Sequence, residues 1–158
     1  MYESAREFFE AASAAAREAD RIGRELDAMG ERAGSLGGGG FEPRVRSTPE
    51  PDRMAGRVAA MVDRTDMLAR RMDEDYRLID AACRVLYGAD NRSGLYALVG
   101  WPADAIYHHY LALHTWEATA VLVNYTPRYV QDRVAWALDM ADANGQMWTE
   151  LGRGMAET

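Results

Sequence analysis

The sequence predicts an all-α fold, a long helical hairpin followed by a compact domain of shorter helices. Apolar side chains recur at three- and four-residue steps through two long stretches, which is the spacing of one helix face. No stretch shows the period-two alternation or the density of β-branched residues that a strand needs. Turn-forming residues gather in a few clusters that separate the helical stretches.

The first helix falls in residues 1–33. Tyr2, Ala5, Phe9, Ala12, Ala16, Ala19, Ile22, Leu26 and Met29 form its apolar face, and Gly30 and Gly34 are stop signals. Its Ala-rich middle permits close approach by a neighbouring helix. Residues 34–52 are a linker, containing Gly37, Gly38, Gly39 and Gly40 and then Pro43, Pro49 and Pro51. Four consecutive glycines lose too much backbone entropy to sit inside a regular element. The second long helix occupies residues 53–87, with Val58, Met61, Thr65, Leu68, Met72, Tyr76, Ile79, Cys83 and Leu86 as its expected apolar face. Pro51 suits a first helical turn and Gly88 ends the helix. Each helix is too amphipathic to stand alone, so the two are expected to pack as an antiparallel pair. Gly88 to Gly94 is a turn, residues 95–145 form the compact domain, and 146–158 are a C-terminal tail.

The chain has 158 residues, 48% of them hydrophobic, with a formal charge of −7. That composition is globular and excludes wholesale disorder. No run approaches the roughly 20 apolar residues of a membrane-spanning helix, so no membrane partner is expected. Charges flank Phe8 and Phe9, unlike a secretory signal, and the single Cys83 fits a reducing compartment. The expected location is the cytoplasm. All 18 basic residues are Arg, which reads first as the trace of a GC-rich genome.

Nothing in the sequence points to an enzyme or a cofactor. His108, His109 and His114 lack the i,i+4 spacing of a helical metal site. Asp142, Asn144 and Gly145 fail as a calcium loop, because Met140 and Leu151 fall where the first and closing ligands belong. Asn144-Gly145 is instead a helix stop. The glycine run is followed by no Gly-Lys-Ser/Thr and is no phosphate loop.

The informative stretch is Thr115 to Leu138. Thr115 is a good N-cap, and Ala118 to Val123 would make two helical turns. Asn124 falls where a left-handed residue is needed, a conformation Asn tolerates best among non-glycine residues. Thr126 then caps a second helix whose first position is Pro127. Val130, Val134, Ala137 and Leu138 form that helix's apolar face, and small Ala120 sits where the helices cross. This is the pattern of a helix-turn-helix.

The segment resembles region four of bacterial sigma factors, and more closely the phage-encoded regulators of the ArpU/RinA type. Those proteins carry a Thr/Ser-Trp-Glu-x-Ile-Ala helix, a Gly-Tyr-Ser turn and a recognition helix ending in Ala-Leu. Thr115, Trp116, Glu117 and Ala120 match the first part, Tyr125 and Thr126 the turn, and Val130, Ala137 and Leu138 the last part. Tyr107 to Leu111 resembles the Tyr-rich helix that packs behind the motif. Thr119 stands for the usual Ile, Asn124 for the usual Gly, and Val121 at a commonly charged position.

The resemblance implies a phage or prophage transcriptional regulator that binds DNA through the second motif helix. Arg128, Tyr129, Gln131, Asp132 and Arg133 would face the major groove, and Thr126 would meet a phosphate. Residues 101–158 carry three Arg against seven acids, a weak electrostatic footprint for DNA. Trp116, Val121 and Leu122 also give the first motif helix more apolar surface than one core-facing stripe requires. The alternative is therefore a helical interaction or assembly module without DNA affinity, its partner RNA polymerase, another phage protein or itself. A homo-oligomer is expected on either reading.

Overall fold

The computed structural model describes residues 2–35 and 51–145. The chain is all-α, with no strand among the described residues, and it opens on the expected helical hairpin. Helix α1 spans Ala5–Ser35 and α2 spans Pro51–Tyr87. Short helices α3 (Leu95–Val99) and α4 (Pro102–Ile106) follow. From α4 the chain passes directly into a π-helical turn, Tyr107–Leu111, then into α5 (Trp116–Val123) and α6 (Pro127–Ala143). The expected linker at 34–52 lies outside the described residues over 36–50, and the expected tail lies wholly outside them.

Helix α1 buries the face its spacing predicts. Ala5, Phe9, Ala12, Ala16, Ala19 and Ile22 are buried, and Tyr2, Leu26 and Met29 are half-buried. Helix α2 departs from expectation. Val58, Met61 and Tyr76 are exposed, and Leu68, Ala82, Val85 and Leu86 are the buried apolar residues. From Val58 to Ile79 the less exposed positions are Thr65, Leu68, Met72, Asp75, Leu78 and Ile79, and from there to Tyr87 only Asp80 and Arg84 are exposed. The steps of three and four from Thr65 to Asp75 are those of a two-helix seam, with Asp75 and not Tyr76 on the less exposed side. Toward Tyr87 the covered face widens to take in half-buried Cys83.

Two compact units make up the chain, one of residues 1–18 with 75–158 and one of residues 19–74. In the second, the Arg64 guanidinium donates to Glu25 Oε1 at 2.9 Å, fixing the antiparallel register of α1 and α2. In the first, Phe8, Phe9 and Ala12 share one core with Ala82, Val85 and Leu86 of α2, Ile106 of α4, Tyr110, and Val130, Val134 and Leu138 of α6. Asp142 Oδ1, in the last turn of α6, accepts a 2.7 Å bond from the Ala5 backbone N–H and caps the start of α1.

The turn after α2 is built around two glycines. Gly88 has φ +70°, and a Cβ there would meet the Ser93 hydroxyl; at Gly94, with φ +74°, a Cβ would lie 2.7 Å from the Val85 carbonyl oxygen. Asp90 Oδ1 accepts from the backbone N–H groups of Arg92 and Ser93 and from the Ser93 hydroxyl, bonds that hold its carboxyl below the usual carboxylate range.

Candidate nucleic-acid interface

The two helices of the motif are set by their caps. The Thr115 hydroxyl accepts from Ala118 N–H at 3.1 Å and starts α5. Asn124 ends it in the left-handed region, at φ 63° and ψ 44°, so that Asn124 and Tyr125 N–H groups return to the carbonyls of Val121 and Ala120. The Thr126 hydroxyl then accepts from Tyr129 N–H at 3.4 Å and opens α6, with Pro127 in its first turn. Ala120 is buried against α6, whose inward face is Val130, Val134, Ala137, Leu138 and Ala141. Each cap follows from the residue type found at that position.

Behind the motif, the π-helical turn ends when Ala112 N–H bonds to the Tyr107 carbonyl and His114 N–H to that of His108, with Leu113 at φ 63°. The His109 ring lies flat on Trp116, centroids 3.6 Å apart, and its Nδ1 donates to the His114 carbonyl oxygen at 2.8 Å. Because a carbonyl only accepts, the proton sits on Nδ1. Burial holds the pKa of His109 below its ordinary value, and Arg17 pushes the same way while the His114 bond opposes. His108 faces His114 at 5.9 Å between ring centroids. Among the described residues no three His, Cys, Asp or Glu side chains are grouped to hold a metal ion.

The residues expected to face DNA separate into two sets. Arg128, Gln131 and Asp132 are exposed on the outer side of α6, and Thr126 is exposed at its start. Arg133 is only half-exposed: its guanidinium lies 4.0 Å from the centre of the Trp136 ring, a cation–π contact across one helical turn. Tyr129 joins an aromatic cluster, 5.3 Å from Tyr125 and 5.9 Å from Trp101, while Trp101 stacks on Tyr125 at 4.4 Å and 21°. An open cleft of about 660 Å³ beside this cluster is lined by Ala120, Val121, Asn124, Tyr125, Thr126 and Tyr129.

Of the three apolar residues singled out on α5, Trp116 is half-buried beneath His109. Val121 is 80% exposed and Leu122 54%. Three aromatic partners were missed by sequence reasoning. Trp136 had a signal, since it lies three residues after Arg133 on one helix face. Trp101 and His109 meet Tyr125 and Trp116 across a turn or an element boundary, where no periodicity marks the pairing.

The chain is all-α, and its α5 and α6 are two capped helices joined by a short turn, the second exposed along one side and buried along the other. Set against protein-family models, curated proteins and solved structures, the chain matches none. No helix among the described residues is long and apolar enough to cross a membrane.

Proposed function

We propose that this chain is a transcriptional regulator of the phage or prophage type, resembling sigma region four, that binds DNA by placing the start of α6 in the major groove. One observation carries the reading: the first turns of α6 are capped by Thr126 and turn Arg128, Gln131 and Asp132 to solvent. The Thr126 hydroxyl and the Arg128 amide would hold a phosphate, the Arg128 side chain would pair with guanine and Gln131 with adenine. Tyr129 and Arg133 flank that surface, Arg133 mainly as packing on Trp136. The reading assigns no catalysis and no cofactor, and it places the protein in the cytoplasm.

A homo-oligomer belongs to the same proposal. Val58, Met61 and Val62 are exposed on one side of α2, large apolar side chains that a second copy would cover. Light scattering tests it, a 17.6 kDa monomer at high micromolar concentration being the adverse result.

The functional test is a salt-titrated binding assay on DNA from the gene's own neighbourhood. Arg128→Ala should weaken specific binding by roughly 1–3 kcal/mol. Arg133→Ala should weaken it less, and the salt dependence should be shallow because few phosphates are neutralised. No binding at low salt, or an undiminished Arg128→Ala/Arg133→Ala double variant, overturns the proposal. The answer would then be an interaction module for RNA polymerase or another phage protein, a reading that the exposure of Val121 and Leu122 favours.

A further inference from the structure

We propose that the cleft at the turn of the motif is a thymine-reading subsite, in which Val121, Tyr125 and Tyr129 receive the 5-methyl edge of a T·A pair next to the base contacted by Arg128. The proposal rests on the DNA-binding reading above. Two of the cleft's six lining residues, Thr126 and Tyr129, belong to the cap and first turn of α6, so the cleft opens beside the surface assigned to the major groove. No charged residue lines it. It therefore carries no charge to draw a phosphate past the Thr126 hydroxyl at its edge, and guanine recognition is left to the neighbouring arginine. The one apolar feature that bases present in the major groove is the thymine methyl group.

The walls are suited to that group. Val121 is 80% exposed and holds its methyls in solvent, which an apolar contact would relieve. Trp101 stacks flat on Tyr125 and also reaches Tyr129, so both tyrosine rings are held in place before a ligand arrives. A preformed aromatic wall loses little side-chain freedom on binding.

The test uses the full chain and DNA duplexes selected by it from a random-sequence library. Selected duplexes should share a thymine adjacent to the guanine read by Arg128. Replacing that thymine by uracil removes only the methyl group and should weaken binding about fourfold, the effect of one buried methyl. In Val121→Ser the uracil duplex should bind as well as the thymine duplex; the side chain is exposed, so the variant should keep the wild-type helical circular dichroism. Equal binding of both duplexes by the wild type, or an undiminished uracil penalty in Val121→Ser, overturns the subsite and leaves the DNA reading standing. Failure to select any duplex overturns both.

Discussion

Residues 5–18 and 19–35 belong to one continuous helix, yet the two stretches bury very different things. The first sets Phe8, Phe9, Ala5 and Ala12 into a core that also takes in α2, α4, the π-helical turn and α6. The second belongs to a unit in which Ala19, Ile22 and Leu68 are the buried apolar side chains among the described residues, while Val58 and Val62 stand 58% and 52% exposed. The second stretch carries Gly23, Gly30 and Gly34 and is the poorer helix former, yet both stretches are helical, so propensity alone does not account for the difference in burial. Two helices side by side have one contact face each, whereas several helices packed from different directions enclose a side chain completely. Helical regularity and burial are separate properties, and the distal part of the hairpin has the first with little of the second.

The sharpest way to break this contrast is Phe9→Ala. Phe9 is fully buried, and its removal should cost about 3–5 kcal/mol in denaturant or thermal unfolding. A loss below about 1 kcal/mol would mean that the larger unit is not the seat of stability. Leu68→Ala should cost less, about 2 kcal/mol, at the low end for a buried leucine because a two-helix site collapses easily. Its effect should be local: hydrogen exchange should speed up in residues 19–35 and 58–74 and stay unchanged in α6. Equal loss of protection in α6 would make the two units one cooperative body.

A smaller change sharpens the picture within the larger unit. Thr119 is fully buried, and its hydroxyl finds no hydrogen-bond partner among the described residues. Thr119→Val keeps the shape and removes the unpaired oxygen, so it should raise stability by about 1 kcal/mol. Destabilisation would show that the hydroxyl is in use. The smallest effect concerns His109, whose folded-state pKa lies below its ordinary value of 6.5. Below that pH the unfolded chain takes up the proton more readily than the folded one, so stability falls as pH drops through 6.5 toward the lower folded value. Wild type should therefore lose more of its thermal midpoint between pH 7.5 and 5.5 than His109→Phe does, the difference being modest because the ring is partly solvated. Equal losses would show that His109 titrates alike in both states.

Much of the fold was legible because local chemistry determines it. The caps at Thr115 and Thr126, the left-handed Asn124 and the stops at Gly88 and Asn144 each depend on one residue's own conformational preference. The α1 stripe was legible for the same reason, since alanines leave little doubt about which face is small. On α2 bulk misled at Tyr76, which is exposed while its neighbour Asp75 is less so, whereas Cys83 is half-buried against the core as its spacing predicts. The π-helical turn had no signal, because it arises where the chain leaves α4 and not from any residue preference. At the candidate site it is the resemblance that points to Arg128, Gln131 and Asp132, and all three are exposed on α6. The diversion of Arg133 onto Trp136 and the stacking of Trp101 on Tyr125 depend on tertiary placement and ring geometry, which a linear pattern does not encode.

The bond from the Ala5 amide to Asp142 joins residues 137 positions apart. During synthesis, Phe8 and Phe9 are made about 120 residues before Val130, Val134 and Leu138, the α6 side chains that complete their core. At about 5–20 residues per second, the first helix waits on the order of ten seconds with two aromatic rings uncovered. That interval is a window for a chaperone or for a neighbouring nascent chain of the same sequence. Closure by α6 joins stretches far apart in sequence, so a product stalled before α6 would leave Phe8 and Phe9 uncovered on the side that α6 packs against.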